Sequence, residues 1–136
     1  MDQMASEGAE SEARKKLLIV IIDDDDLIRN STCRLLNSSG FQSEAFASAE
    51  DFLQSARIEE TACLLLDAKM PGMSGLELQS HLTETGWHIP IIFVSARASD
   101  DEERRALLAG ATGFLRKPTS KEALLLAITN ALHPEI

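Results

Sequence analysis

The chain has 136 residues, of which 44% are hydrophobic and 26% charged, enough apolar side chain for the core of one soluble globular domain. Thirteen Lys and Arg against 22 Asp and Glu leave a formal net charge of −9, which argues against a phosphate-backbone footprint and so against direct nucleic-acid binding. The longest apolar run, Leu17–Ile22, is far too short to span a membrane, no secretory-type stretch opens the chain, and Cys33 and Cys63 show no metal spacing; a reduced, cytoplasmic setting is expected.

In chain order, residues 1–14 (MDQMASEGAESEAR) are polar and lack an apolar period, so they read as a flexible tail ahead of a single domain over 15–136. Leu17–Ile22 has the length and β-branching of a buried strand. Four acids follow, Asp23–Asp26, and then Ile28, Thr32, Leu35 and Leu36 line one face of a helix that Gly40 is placed to end. Gln42–Phe46 is a weaker strand candidate. Cys63–Leu66 is a second buried strand, followed by Asp67 and by a helix whose start is marked by the capping box Ser74-x-x-Glu77 and whose end is marked by Gly86. Ile89–Val94 repeats the scheme, with Ser95-Ala96 after it, a box at Ser99-x-x-Glu102, and Gly110. Thr112–Leu115 is another weak strand, trailed by Lys117-Pro118. Thr119-x-x-Glu122 predicts the cap of a last helix with Leu124, Ile128, Ala131 and Leu132 on one face. Five strands alternating with five helices predict parallel strands joined by right-handed crossovers, an α/β sandwich of three layers.

In open α/β sheets, ligands bind beyond the carboxyl ends of the strands. Four of the five predicted strands are followed there by a polar group: the Asp23–Asp26 run, Asp67, Ser95 and Lys117. Two carboxylates about 4 Å apart repel by roughly 4 kcal/mol at an effective dielectric near 20. One lysine cannot neutralise three, so a hard divalent ion such as Mg²⁺ completes the set. The hydroxyl and the ammonium then suit a phosphoryl group, transferred to or from a carboxylate. Singly, each residue has a plainer reading: Asp25 or Asp26 as a helix start favouring the dipole, Ser95 as a turn residue, Lys117 as a surface lysine. Asp67 is costly directly after CLLL without a partner, and the joint occurrence at four strand ends carries the case. His81, His88 and His133 lie away from those ends, Trp87 is placed at the opposite end of the sheet, and the cysteines read as small apolar groups.

The segments IIDDDDLIR, LLLDAKMPGMSGLEL, PIIFVSARA and AGATGFLRKP resemble the receiver domains of two-component response regulators over about residues 17–133. MPGMSGLELQ and Gly-Phe-Leu-x-Lys-Pro are most similar to receivers that precede helix-turn-helix outputs. The resemblance implies a (βα)5 doubly wound, flavodoxin/CheY-like sheet with strand order 2-1-3-4-5. It implies that Asp67 accepts a phosphoryl group from a histidine kinase or phosphotransfer protein. Asp24, Asp67 and the Lys69 carbonyl would bind Mg²⁺ (or Mn²⁺), with Asp23 acting through water. Ser95, Lys117 and the Ala68 and Ala96 N–H groups would meet the phosphoryl oxygens. Phe114 takes the position of an aromatic switch that turns inward with Ser95, and Pro118 that of a residue after a cis bond. Lys69 and Arg97 sit where hydrolysis of the aspartyl phosphate is tuned. Gly75 suits close helix packing, and Thr119 departs from the aromatic residue that many relatives carry there.

The reading is therefore a phosphorylation-operated switch, with slow autodephosphorylation rather than turnover. The added charge would favour one packing of the fourth helix, fifth strand and fifth helix, a face that also allows a homodimer, while the first helix receives the kinase. As given, the chain leaves no room for an output domain after the last helix, which suits a stand-alone regulator or the front end of a transcription factor. Two alternatives stand beside it: a phosphorylation-independent interaction module of the same fold, and a haloacid-dehalogenase-like phosphatase with Asp23 as nucleophile and Asp25 as acid. The second lacks downstream acidic ligands other than Glu122 and leaves Asp67 without a role.

Overall fold

In the computed structural model, which describes residues 17–133, strands β1 (Leu18–Ile22), β2 (Gln42–Phe46), β3 (Thr61–Leu66), β4 (Ile91–Ser95) and β5 (Gly113–Arg116) alternate with helices. The helices are α1 (Asp26–Ser38), α2 (Ala49–Gln54), α3 (Gly75–Glu84), α4 (Asp100–Leu108) and α5 (Lys121–Leu132). The tail expected over residues 1–14, and the ends of the expected domain at 15, 16 and 134–136, lie outside the described residues. All strand pairs are parallel and the order is β2-β1-β3-β4-β5, as the resemblance implies.

The period-2 alternation of the central strands divides the core in two. Leu18, Val20 and Ile22 of β1 join Leu64, Leu66 and Phe93 against Phe52 of α2, Leu78 and Leu82 of α3 and Ala106 of α4. Ile19 and Ile21 point the other way, joining Cys63, Leu65 and Ile92 against Leu36 of α1 and Leu124 and Ile128 of α5. β1 is buried along its whole length because both of its faces are covered, which is why its sequence is one unbroken apolar run. Cys63 is fully buried, and burial pushes its thiol up to about 12, consistent with an inert apolar role, while Cys33 is only half-buried. Trp87 packs against the core ahead of β4, and His81, His88 and His133 lie outside it.

The boxes at Ser74/Glu77 and Ser99/Glu102 are both closed, each hydroxyl accepting from the glutamate N–H and each glutamate accepting from the cap N–H. The third is not. Ser120, rather than Thr119, caps α5, accepting from Ala123 N, so Glu122 falls in the middle of the first turn and cannot reach back. The Lys117–Pro118 bond is cis. Among the described residues, no helix is long and apolar enough to cross a membrane.

Candidate functional site

Strand order reverses at β1, between β2 and β3, and the polar residues gather beyond the carboxyl ends next to that point. The four consecutive acids after β1 divide their work. Asp23 is buried; its N–H donates to the Phe46 carbonyl of β2 at 3.2 Å and its Oδ1 accepts from Asp25 N at 2.9 Å. Asp24 is exposed. Asp25 is the N-cap of α1, accepting from Leu27 N and Ile28 N, and Asp26 pairs with Arg29. Arg29 also donates to the Asp23 carbonyl at 2.6 Å, fixing the turn from below.

Asp67, buried at the end of β3, is tied to β1 by its N–H on the Ile22 carbonyl at 3.0 Å. Its Oδ1 accepts from Lys69 N at 3.1 Å and its Oδ2 lies 3.3 Å from Lys117 Nζ. The same ammonium meets Asp23 Oδ2 at 2.5 Å. One largely buried lysine therefore bridges two buried carboxylates. Burial pushes the Asp23 carboxyl above its ordinary value, an effect that Lys117 and the Asp25 N–H only partly offset. Burial alone would lower the Lys117 pKa, but the two carboxylates outweigh it and hold the ammonium above its usual value.

One carboxylate oxygen from each of Asp23, Asp24 and Asp67 lies within 4.8 Å of the others. Three hard oxygen donors, two of them in buried side chains that share a single ammonium, fit a divalent ion of the Mg²⁺ type.

Gly75 sets how closely α3 approaches this centre. Its N–H donates to the Ala68 carbonyl at 3.1 Å, and a Cβ there would lie 2.2 Å from the Asp67 carbonyl oxygen. Sequence reasoning missed the support from Glu50. From the first turn of α2, its Oε2 accepts from Met73 N at 3.0 Å, holding the loop after Asp67, and that N–H keeps its carboxyl below the usual range.

The remaining groups stand differently. Ser95 Oγ is fully buried and has no hydrogen-bond partner among the described residues. Phe114 is half-buried on β5, stacked on Phe93 with ring centroids 5.6 Å apart, and the Arg116 guanidinium lies 5.2 Å from its ring. Arg116 also bonds the Ala98 carbonyl and Glu103, a set of contacts that sequence reasoning did not reach. Ala68 is buried, while Ala96 and Arg97 are exposed on the loop after β4. Lys69 directs its ammonium to Glu102 at 3.1 Å. Beside the acids, a groove of about 570 Å³ opens between α1 and α5, walled by Ile28, Leu35, Val94 and Leu124 together with Asp23 and Lys117.

Comparisons with known proteins place the chain in one family and fold. Residues 19–129 match the family model described as the response regulator receiver domain. The chain is 38% identical over 125 residues to Nodulation protein W of Bradyrhizobium diazoefficiens, covering 92% of this chain and 55% of that protein. It is 44% identical over 98 residues to the response regulator protein TodT of Pseudomonas putida, covering 72% of this chain and 43% of the relative. It thus spans about half the length of the curated relatives it matches. Among solved structures it is similar to response regulator StyR, with 44% identity and a TM-score of 0.81 over 88% of this chain and 60% of that one. It is also similar to a BeF3-activated receiver domain of DrrB, with 26% identity and a TM-score of 0.74 over 86% and 97% of the two chains.

Proposed function

The chain belongs to the response regulator receiver family, and on that premise we propose that Asp67 is the residue that accepts a phosphoryl group from a phosphohistidine of a sensor histidine kinase or phosphotransfer protein. A carboxylate oxygen of Asp67 forms the new bond to phosphorus as the P–N bond breaks, and the imidazole leaves with a proton from solvent on the released nitrogen. Lys117 shifts from carboxylate partner to counter-ion of the phosphoryl oxygens. Ser95 Oγ and the N–H groups of Ala68 and Ala96 donate to the others. Asp23, Asp24, Asp67 and the Lys69 carbonyl would hold Mg²⁺ (or Mn²⁺), which supplies positive charge against both the carboxylates and the incoming oxygens.

The carrying observation is the sharing of Lys117 between buried Asp67 and buried Asp23, an arrangement poised around one acidic oxygen rather than around a soluble substrate. Incubation with acetyl phosphate and magnesium tests it. Wild type should gain one phosphoryl mass per chain, and Asp67→Asn should gain none; full labelling of that variant would overturn the assignment.

The modified state would bias the α4–β5–α5 face, with Phe114 turning inward as Ser95 engages the phosphoryl group. Through that face a homodimer can form, and the groove beside α1 offers the kinase an apolar seat next to Asp67 and Lys117. A net charge of −9 supports a switch without direct nucleic-acid contact. Hydrolysis of the phosphoryl group is slow in this reading, since neither Lys69 nor Arg97 can act as a base toward water. A Lys69→Ala, Arg97→Ala chain should lose label faster than wild type.

A further inference from the structure

Two cations hold the first turn of α4 from opposite sides. That turn carries Asp100, Asp101, Glu102 and Glu103 in succession. From β5, Arg116 reaches Glu103 at 2.7 Å, Asp100 at 3.5 Å and the Ala98 and Ser99 carbonyls, a rigid fork spread over several acceptors. From the loop after β3, Lys69 makes one ion pair, with Glu102 Oε2 at 3.1 Å. Glu102 keeps its other oxygen, Oε1, on the Ser99 N–H. The lysine can therefore leave without uncapping the helix.

Lys69 is also the residue whose backbone N–H donates to Asp67 Oδ1, so its stem is anchored beside the acceptor carboxylate. Its side chain is 45% exposed and free to swing on four methylenes. A half-exposed ion pair with a single carboxylate is a weak competitor for a phosphoryl group, which carries about −1.5 to −2 charges at neutral pH.

We propose that the Lys69–Glu102 pair is a charge-operated tether, closed onto α4 in the unmodified protein and opened when a phosphoryl group on Asp67 draws the ammonium to itself. This rests on the reading of Asp67 as the acceptor. Opening leaves Arg116, on the side of β5 and Phe114, as the cation from outside the helix that holds the first turn of α4. The charge change at Asp67 thereby reaches the α4–β5–α5 face along an ion pair as well as through Ser95.

A double-mutant cycle tests it. Lys69→Gln, Glu102→Gln and the double variant are denatured with urea, free and loaded with magnesium and beryllofluoride, and Asp67 labelling by acetyl phosphate is followed by mass in each. The Glu102→Gln side chain retains an oxygen for Ser99 N, so the capping box survives. The unfolding equilibrium of the free protein should show a coupling of about two- to fivefold between the two positions, as for exposed ion pairs. In the loaded protein that coupling should vanish. Amide resonances of Asp100–Leu108 in free Glu102→Gln should move part of the way toward their loaded positions. Label on Asp67 with coupling equal in both states, or with none in the free state, overturns the tether and leaves the acceptor reading standing. No label in wild type overturns both.

Discussion

The two halves of the site are built to opposite specifications. Around Asp23, Asp67 and Lys117, the charged groups of the bridge are partnered and the backbone nearby is tied to a neighbouring strand or turn. Around Ser95 and Phe114, a buried hydroxyl has no partner, and an aromatic ring sits half-exposed between Phe93 and the Arg116 guanidinium. A satisfied network resists rearrangement, whereas an unpaired buried hydroxyl gains by meeting an acceptor. The first half is thus suited to receive a charge with little more than a change of partner for Lys117, and the second to move in response.

Breaking the satisfied half should have the largest effect. In Lys117→Met, two carboxylates with side-chain exposures of 5% and 8% lose their shared cation. Loss of about 3 kcal/mol of stability is expected in metal-free buffer, within the range for breaking one side of a buried pair, and millimolar magnesium should recover part of it in urea melts. A loss below about 1 kcal/mol would mean that the acids are better solvated than their burial indicates. Gly75→Ala attacks the same half through the backbone. A methyl group 2.2 Å from the Asp67 carbonyl oxygen must push α3 away from the loop after β3, at about 2 kcal/mol. Acetyl phosphate labelling should slow along with the fall in the urea midpoint.

This contrast marks what the sequence made legible. β1 and β3 lie inside the sheet with both faces covered, so they appear as continuous apolar runs, and the acids after them stand out. β2 and β5 are its edges; QSEAF and GFLR are only partly buried and carry a correspondingly faint signal. Lys117 and Ser95 were found because each stands at a strand end, Ser95 as the last residue of β4 and Lys117 just after β5. Glu50 was not, because its partner Met73 is 23 residues away and the contact exists only once α2 has packed beside the loop. Arg116 and Lys69 belong to the same class, their acceptors on α4 being set by tertiary placement rather than by spacing. The cap of α5 was misplaced by one residue for a local reason. Thr119 and Ser120 are adjacent hydroxyls, and Glu122 made the first look like a box, whereas only Ser120 has its oxygen on the N–H of the third helical residue.

A smaller and opposite effect is expected from the unsatisfied half. Ser95→Ala deletes a buried hydroxyl that has no partner while keeping the packing of its Cβ. The unmodified protein should be more stable by about 1 kcal/mol, the cost of leaving such a group unpaired. The same variant should shift the α4–β5–α5 amide resonances less than wild type on loading with beryllofluoride. If Ser95→Ala destabilised the free protein, the hydroxyl would have a partner, such as an ordered water, and the two halves would not differ as described.

The smallest effect concerns the link between the halves and is read through pH. The Ser99 N–H, and after it Lys69, hold the Glu102 carboxyl below the ordinary range. A carboxyl whose folded pKa is depressed contributes stability that is fully present above its unfolded value, near 4.5, and lost as pH falls through the folded value. Wild type should therefore exceed Glu102→Gln by about 0.5 kcal/mol at pH 7, the scale of exposed ion pairs, and the gap should begin to close once pH falls below the unfolded value and be gone only below the depressed folded value. Adding about 1 M salt at neutral pH should remove the part of it that the pair with Lys69 contributes, because screening weakens that pair more than the short hydrogen bond to Ser99 N. A gap that persists in acid would place the contribution of Glu102 in packing rather than charge, and α4 would then be held on this side by shape alone.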